Sequence, residues 1–153
     1  TDMFAYYFQT LAVPAQRDQT NGLVQKGQDL FQKMDCASCH TPKHVTASHV
    51  ISALSFQTIY PYTDLLLHDM GDGLSDHRPT YLAEGNEWRT PPLWGIGLTQ
   101  IVNPKATFLH DGRAKTIEEA ILWHGGEAEE SKEKFRKSAK VDRDALIAFL
   151  KSL

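Results

Sequence analysis

Cys36-Ala37-Ser38-Cys39-His40 puts two thiols three positions apart and an imidazole directly after the second. Thiols at this spacing can each add to one vinyl group of a single porphyrin, and the histidine that follows is then held beneath the iron. This is the C-x-x-C-H pattern of covalent haem attachment. Other chemistry fits the five residues less well. A structural zinc site needs further Cys or His ligands at finger-like spacing, and the chain has no second cysteine pair. A thioredoxin-like C-x-x-C sits beside a βαβ pattern, whereas the residues before Cys36 read as helical. A plain disulfide would use both thiols and leave His40 without a role. The expectation is one covalent haem c on Cys36 and Cys39, with His40 as the proximal iron ligand.

Two side chains compete for the position opposite His40. Thr116-Ile117-Glu118-Glu119 has the form of a capping box, and Gly125-Gly126 supplies a helix stop. Between them Ile117, Ala120, Ile121 and His124 fall at i, i+3, i+4, i+7. His124 therefore ends the apolar face of a short helix. Without a cofactor it would be a core histidine with its hydrogen bonds satisfied; with a haem it is a ligand candidate. Met70 lies in the glycine-rich stretch 64–76 (DLLLHDMGDGLSD). A loop thioether is a common second ligand of haem c. Asp69, Asp72 and Asp76 share that stretch, but their spacing is not that of an EF-hand loop, so calcium is not expected.

Residues 88–99 (WRTPPLWGIGLT) supply candidate pocket walls. Trp94 can pack on a haem edge. The planar fork of Arg89 suits a propionate, although an ordinary surface ion pair accounts for it equally well. Pro91-Pro92 can open a short helix. Phe108 lies in the turn at 107–113 (TFLHDGR), pivoted on Gly112, and joins the candidate pocket. His44 and His49 read as exposed polar side chains.

Helices must position these groups. One is expected from Leu23 to Met34, with Gly27, Leu30, Phe31 and Met34 on one face. A glycine on that face allows a close crossing. The partner is a C-terminal helix over 141–152, whose stripe is Leu146, Phe149, Leu150 and Leu153. Asp142 and Asp144 near its start and Lys151 near its end match the helix dipole. Residues 2–12 read as a short helix ended by Val13-Pro14, with Phe4, Tyr7, Phe8 and Leu11 on a face that something must cover. A polar linker over 14–22 follows. Residues 41–63 read as loop with one short hairpin, and 127–140 as a charged surface helix or linker around Phe135.

Composition bounds the function. At 153 residues with 41% hydrophobic content, the chain is expected to be one domain with a real core. A net charge of -3 gives no reason to expect nucleic acid, and no apolar run is long enough to span a membrane. No export signal is visible at Thr1. Haem c is attached outside the cytoplasm, so a periplasmic or secreted location is expected, for a mature chain or a piece of a longer one.

Two terminal helices crossing over a haem resemble the cytochrome c fold. The expected class is therefore all-α, a cytochrome c-like domain over 1–153 with long loops around one covalent haem. From Thr63 onward the chain also resembles the C-terminal haem domain of the bacterial di-haem cytochrome c peroxidase superfamily, most closely its di-haem thiol oxidoreductase-like branch. The residues that carry the resemblance are 64–74 (DLLLHDMGDGL), 88–99, 108–113 and 116–127 (TIEEAILWHGGE), with Cys36 to His40. Members usually carry two C-x-x-C-H motifs in two domains, and this chain has one. The resemblance implies that residues 1–22 are left over from an upstream domain. In the peroxidases the peroxide-reducing haem belongs to that other domain. The function implied is therefore electron transfer, with a redox partner protein or an adjacent domain. The alternative is peroxidase-like activity at a displaceable sixth position. The resemblance also favours His124 over Met70, because the matching residue of that helix, just before a glycine, reaches the iron.

Overall fold

Gly27 decides how the core is built. In the computed structural model, which describes residues 2–153, helix α2 (Gly22–Lys33) crosses helix α6 (Lys140–Ser152) at this residue. A Cβ there would overlap the Ala145 carbonyl and come within 2.6 Å of Phe149 Cβ. Only a glycine lets the two backbones approach so closely. Asn21 starts α2 by accepting a hydrogen bond from the Leu23 amide at 2.8 Å, which satisfies one of the free donors of the first turn. Val24 and Phe31 then face Ala145, Leu146, Phe149 and Leu150, and all six are buried. The rings of Phe31, Tyr62 and Phe149 meet edge to face, with centroids 5.4–5.8 Å apart.

The linker is not free. Arg17 donates from its backbone amide to the Ser152 carbonyl at 2.7 Å. Its guanidinium donates to the carbonyls of Lys151 and Leu153. These are the unsatisfied carbonyls that every helix leaves at its C-terminus, so residues before α2 close the end of α6. Ahead of the linker, helix α1 spans Asp2–Gln9, shorter than the 2–12 expected. None of its residues is buried, and Phe4 and Phe8 remain 72% and 67% exposed. The expected aromatic face is there, but nothing among the described residues covers it.

The all-α expectation does not hold. Helical segments cover 44% of the chain and extended ones 9%, in two small antiparallel sheets and two isolated bridges. Strand β1 (His44–Val45) pairs with β2 (Thr58–Ile59), the short hairpin anticipated within 41–63. Strand β3 (Leu67–Asp69) pairs with β4 (Glu87–Arg89), placing His68 opposite Trp88 and Asp69 opposite Glu87. The chain is thus mixed α/β, with six α-helices among the described residues. Three-residue strands leave no period in a sequence, and Leu65-Leu66-Leu67 does not alternate at all. The pairing is made by hydrogen bonds between distant segments, which local pattern cannot report.

The remaining helices are α3 (Thr99–Val102), α4 (Ile117–Leu122) and α5 (Glu129–Lys137). Pro91-Pro92 opens no helix; the chain stays irregular until a 3-10 turn at Ile96–Leu98. The charged segment expected around Phe135 is α5, and Phe135 itself is fully buried. Among the described residues no helix is long and apolar enough to cross a membrane.

Gly27→Ala should lower stability by about 1–3 kcal/mol, because the added methyl overpacks a helix crossing. Urea unfolding should show an earlier midpoint at an unchanged slope. Stability equal to the parent would mean that the helices do not touch there.

Candidate cofactor site

Helix α2 delivers the attachment motif. After Met34 the chain turns through Asp35 in the left-handed region (φ 64) and enters a 3-10 turn, Cys36–Ser38. Lys134 of α5 pairs with the Asp35 carboxylate at 2.8 Å. Both thiols are free and partly buried. Burial pushes the Cys36 thiol up to about 11 and raises Cys39 as well, so both are held as neutral thiols.

His40 follows on the inner side of this turn. Its Nδ1 donates to the Tyr62 carbonyl at 3.1 Å, and the Phe31 ring lies 6.3 Å away. A carbonyl only accepts, so Nδ1 carries the proton and Nε2 keeps its lone pair. Burial pulls the imidazole down to about 4, and the ring is neutral at physiological pH.

His124 is delivered by α4. Thr116 Oγ1 accepts from the Glu119 amide at 3.0 Å, the expected N-cap. The reciprocal bond goes elsewhere: the Glu119 carboxylate accepts from the Lys115 amide at 2.7 Å. At the far end His124 Nδ1 donates to the Ala120 carbonyl at 2.8 Å, which again frees Nε2. Burial lowers its pKa too. The rings of His40 and His124 stand 6.5 Å apart, centroid to centroid, at 45°.

That spacing tests whether a haem fits. An imidazole bound through Nε2 holds its ring centre roughly 3 Å from a metal, so two opposed ligands stand about 6–6.5 Å apart. The separation observed lies at that value. Two neutral thiols and two neutral imidazoles, each with a free Nε2, form a donor set suited to a covalently held porphyrin iron.

Two glycines seat the His124 loop. A Cβ on Gly125 would lie 2.9 Å from the Met70 carbonyl, and one on Gly126 would overlap the Asp69 carbonyl. Gly126 also has a φ of +52. The pair is more than a helix stop, since it lets the loop lie flat on the Asp69–Gly71 backbone. Met70 and His124 consequently line one cavity of about 350 Å³. Phe108 is buried in the core and bridged to Ala114. Trp94 is half-buried, and Arg89 is exposed with no ion pair among the described residues. His44 is half-buried and bonded to the Thr63 carbonyl at 2.6 Å, not exposed as expected. No calcium-like cluster forms from Asp69, Asp72 and Asp76; a single possible metal-ligating group is found among the described residues, Cys39, Asp64 and His68, with ligand atoms within 4.8 Å.

That group is where sequence reasoning missed most. His68 Nε2 donates to Asp64 Oδ2 and Nδ1 to Glu127 Oε2, both at 2.8 Å. With both ring nitrogens donating, His68 has no lone pair left for a metal. Its Nδ1 also lies 3.6 Å from Cys39 Sγ. Burial works against a charged ring here, but the bonds to Glu127 and Asp64 outweigh it and hold the His68 pKa above its ordinary value. Elsewhere Trp88 stacks on His110 with centroids 3.5 Å apart, and the Arg113 guanidinium lies 4.7 Å over Trp123. The two motifs that supply Asp64, His68 and Glu127 are visible in the sequence, but only folding brings them together.

The family model described as "Di-haem oxidoreductase, putative peroxidase" matches residues 1–153, the whole chain. No curated protein and no solved structure matches it.

Gly126→Ala should lift the loop that carries His124, since a methyl there meets the Asp69 carbonyl and the φ is unfavourable for an L side chain. A destabilisation of about 1–3 kcal/mol is expected in chemical denaturation. A neutral substitution would show that the loop is not seated on Asp69–Gly71.

Proposed function

The chain belongs to the di-haem oxidoreductase family, and from that premise we propose that it is a mono-haem electron-transfer domain of such a protein. Its resemblance is to the C-terminal domain, in the thiol oxidoreductase-like branch. Family membership implies haem binding; the single C-x-x-C-H supports one haem c, held by Cys36 and Cys39. His40 is the proximal ligand and His124 the distal one. The observation that carries this reading is the pair of neighbouring imidazoles 6.5 Å apart, each with Nδ1 engaged by a backbone carbonyl and Nε2 left free.

A haem bound there supplies reversible one-electron chemistry. The chain's own residues do the rest. The Tyr62 and Ala120 carbonyls fix both tautomers and make each Nε2 a better donor. The burial that lowers both histidines also limits water at the site. Trp94 and Phe108 serve as pocket walls, and the exposed Arg89 is available to a propionate. Held by both His40 and His124, the iron would rearrange little between redox states and would offer no vacant position to peroxide. The partner is a redox protein or an adjacent domain, and the location periplasmic or secreted, because haem c is attached outside the cytoplasm. One observation favours a second reading: the cavity shared by Met70 and His124 gives space beside the distal ligand for a small oxidant if His124 is displaced.

Mass spectrometry of the denatured protein should add one haem to the polypeptide. The oxidised spectrum should be low-spin without the weak methionine–iron band near roughly 700 nm. His124→Ala should turn it high-spin, and Met70→Ala should leave it unchanged. Two unmodified thiols would end the haem reading. The band in the parent, lost in Met70→Ala and kept in His124→Ala, would transfer the ligand role to Met70. Peroxide turnover should stay near that of free haem; fast saturable turnover with a high-spin resting spectrum would favour the peroxidase reading.

A further inference from the structure

One unbroken line of hydrogen bonds joins the loop carrying His40 to the loop carrying His124. The Asp64 amide donates to the Cys39 carbonyl at 2.9 Å. His68 Nε2 donates to Asp64 Oδ2, and His68 Nδ1 donates to Glu127 Oε2, each at 2.8 Å. The other oxygen of Glu127 accepts from the Asp69 amide at 3.0 Å. Glu127 sits in the 3-10 turn Gly126–Ala128, three residues after His124. Cys39 directly precedes His40. The imidazole can donate from both nitrogens only as the cation, and charge-assisted bonds of this kind are the strong ones. The His68 and Asp64 side chains are 14% and 13% exposed, so solvent does little to loosen the inner link.

Taking the two opposed histidines as haem ligands, as proposed above, we propose that the Asp64–His68–Glu127 bridge is the positioning device that keeps His124 on the iron. The distal loop is otherwise seated by backbone contacts of Gly125 and Gly126, which fix its height on β3 but include no charged bond. The bridge adds one lateral tie across the gap between the two ligand loops. Cut it, and His124 leaves the sixth position more often. Groups facing His68 are Asp64, Glu127 and Cys39, with Asp69 beside Glu127 and His40 beyond Asp64; none offers a substitute cation.

A bridge in series has a signature that local stabilisation lacks. Breaking either end breaks the whole tie, so a second break adds nothing, whereas independent contributions add. The measurement is binding of added imidazole to the oxidised, haem-loaded protein, followed optically. Added imidazole binds only the fraction whose sixth position is open, so apparent affinity reports that fraction. Glu127→Ala removes a half-exposed side chain and keeps the fold. It should tighten imidazole binding by about tenfold, the effect of losing one charge-assisted bond. Asp64→Ala and His68→Ala should act in the same direction but less strongly, because the bond from the Asp69 amide to Glu127 survives in them, and Asp64→Ala with Glu127→Ala should do no more than Glu127→Ala alone. All variants should keep one haem by mass. If the parent carries no haem, the functional reading fails and the bridge with it. If the parent is six-coordinate through His124 and the variants bind imidazole as the parent does, or if the two ends act additively, the bridge is refuted while the functional reading stands.

Discussion

Two half-buried imidazoles standing beside one another are kept neutral by the burial they do have, and the single N–H of each is satisfied. That constraint orders much of this structure. His40 meets it with the Tyr62 carbonyl and His124 with the Ala120 carbonyl. Each bond also chooses the tautomer, so the nitrogen left with a lone pair is Nε2 in both rings. A water-exposed histidine would have neither its tautomer chosen nor its charge removed.

The surroundings supply those two carbonyls at fixed places. Ala120 comes from α4 itself, one turn before His124, so the helix satisfies its own ligand candidate. Tyr62 is different. Its ring packs between Phe31 and Phe149, and its backbone adopts a left-handed conformation with φ 54. Asp35, just before Cys36, and Leu65, just after Asp64, are also left-handed, at φ 64 and 62. A non-glycine residue in that region costs on the order of 1–3 kcal/mol. Three such residues flank the attachment motif and its bridge. The crossing of α2 and α6 at Gly27 is the rigid base that can sustain them.

The three charged groups of the bridge show how a small site uses burial unevenly. Asp64 and His68 are largely enclosed, while Glu127 stays half in water. A fully buried carboxylate–imidazolium–carboxylate set would carry a net negative charge with a large desolvation cost. Leaving one carboxylate at the surface reduces that cost and keeps the bonds. The helix α1 makes the opposite use of the surface, exposing aromatic side chains that the described chain leaves uncovered.

Sequence alone determined whatever is local. Cys36, Cys39 and His40 are read from spacing because one turn of chain carries all three. The α4 face ending on His124 is read from its period and its caps, and the α2 and α6 stripes from theirs, since a helix buries residues at a fixed interval. The glycine at position 27 announced a close crossing. Only the tertiary structure decided the rest. The β3–β4 pairing made the chain mixed α/β where the resemblance to a cytochrome c fold had pointed to all-α, because three-residue strands have no period of their own. The 6.5 Å between two rings is a property of how α2 and α4 are each held against α6, not of either helix. His68 lies 59 residues from Glu127, and no propensity in either segment foretells the bond. Contacts between segments so far apart depend on the whole packed core, and so become visible only when the chain is folded.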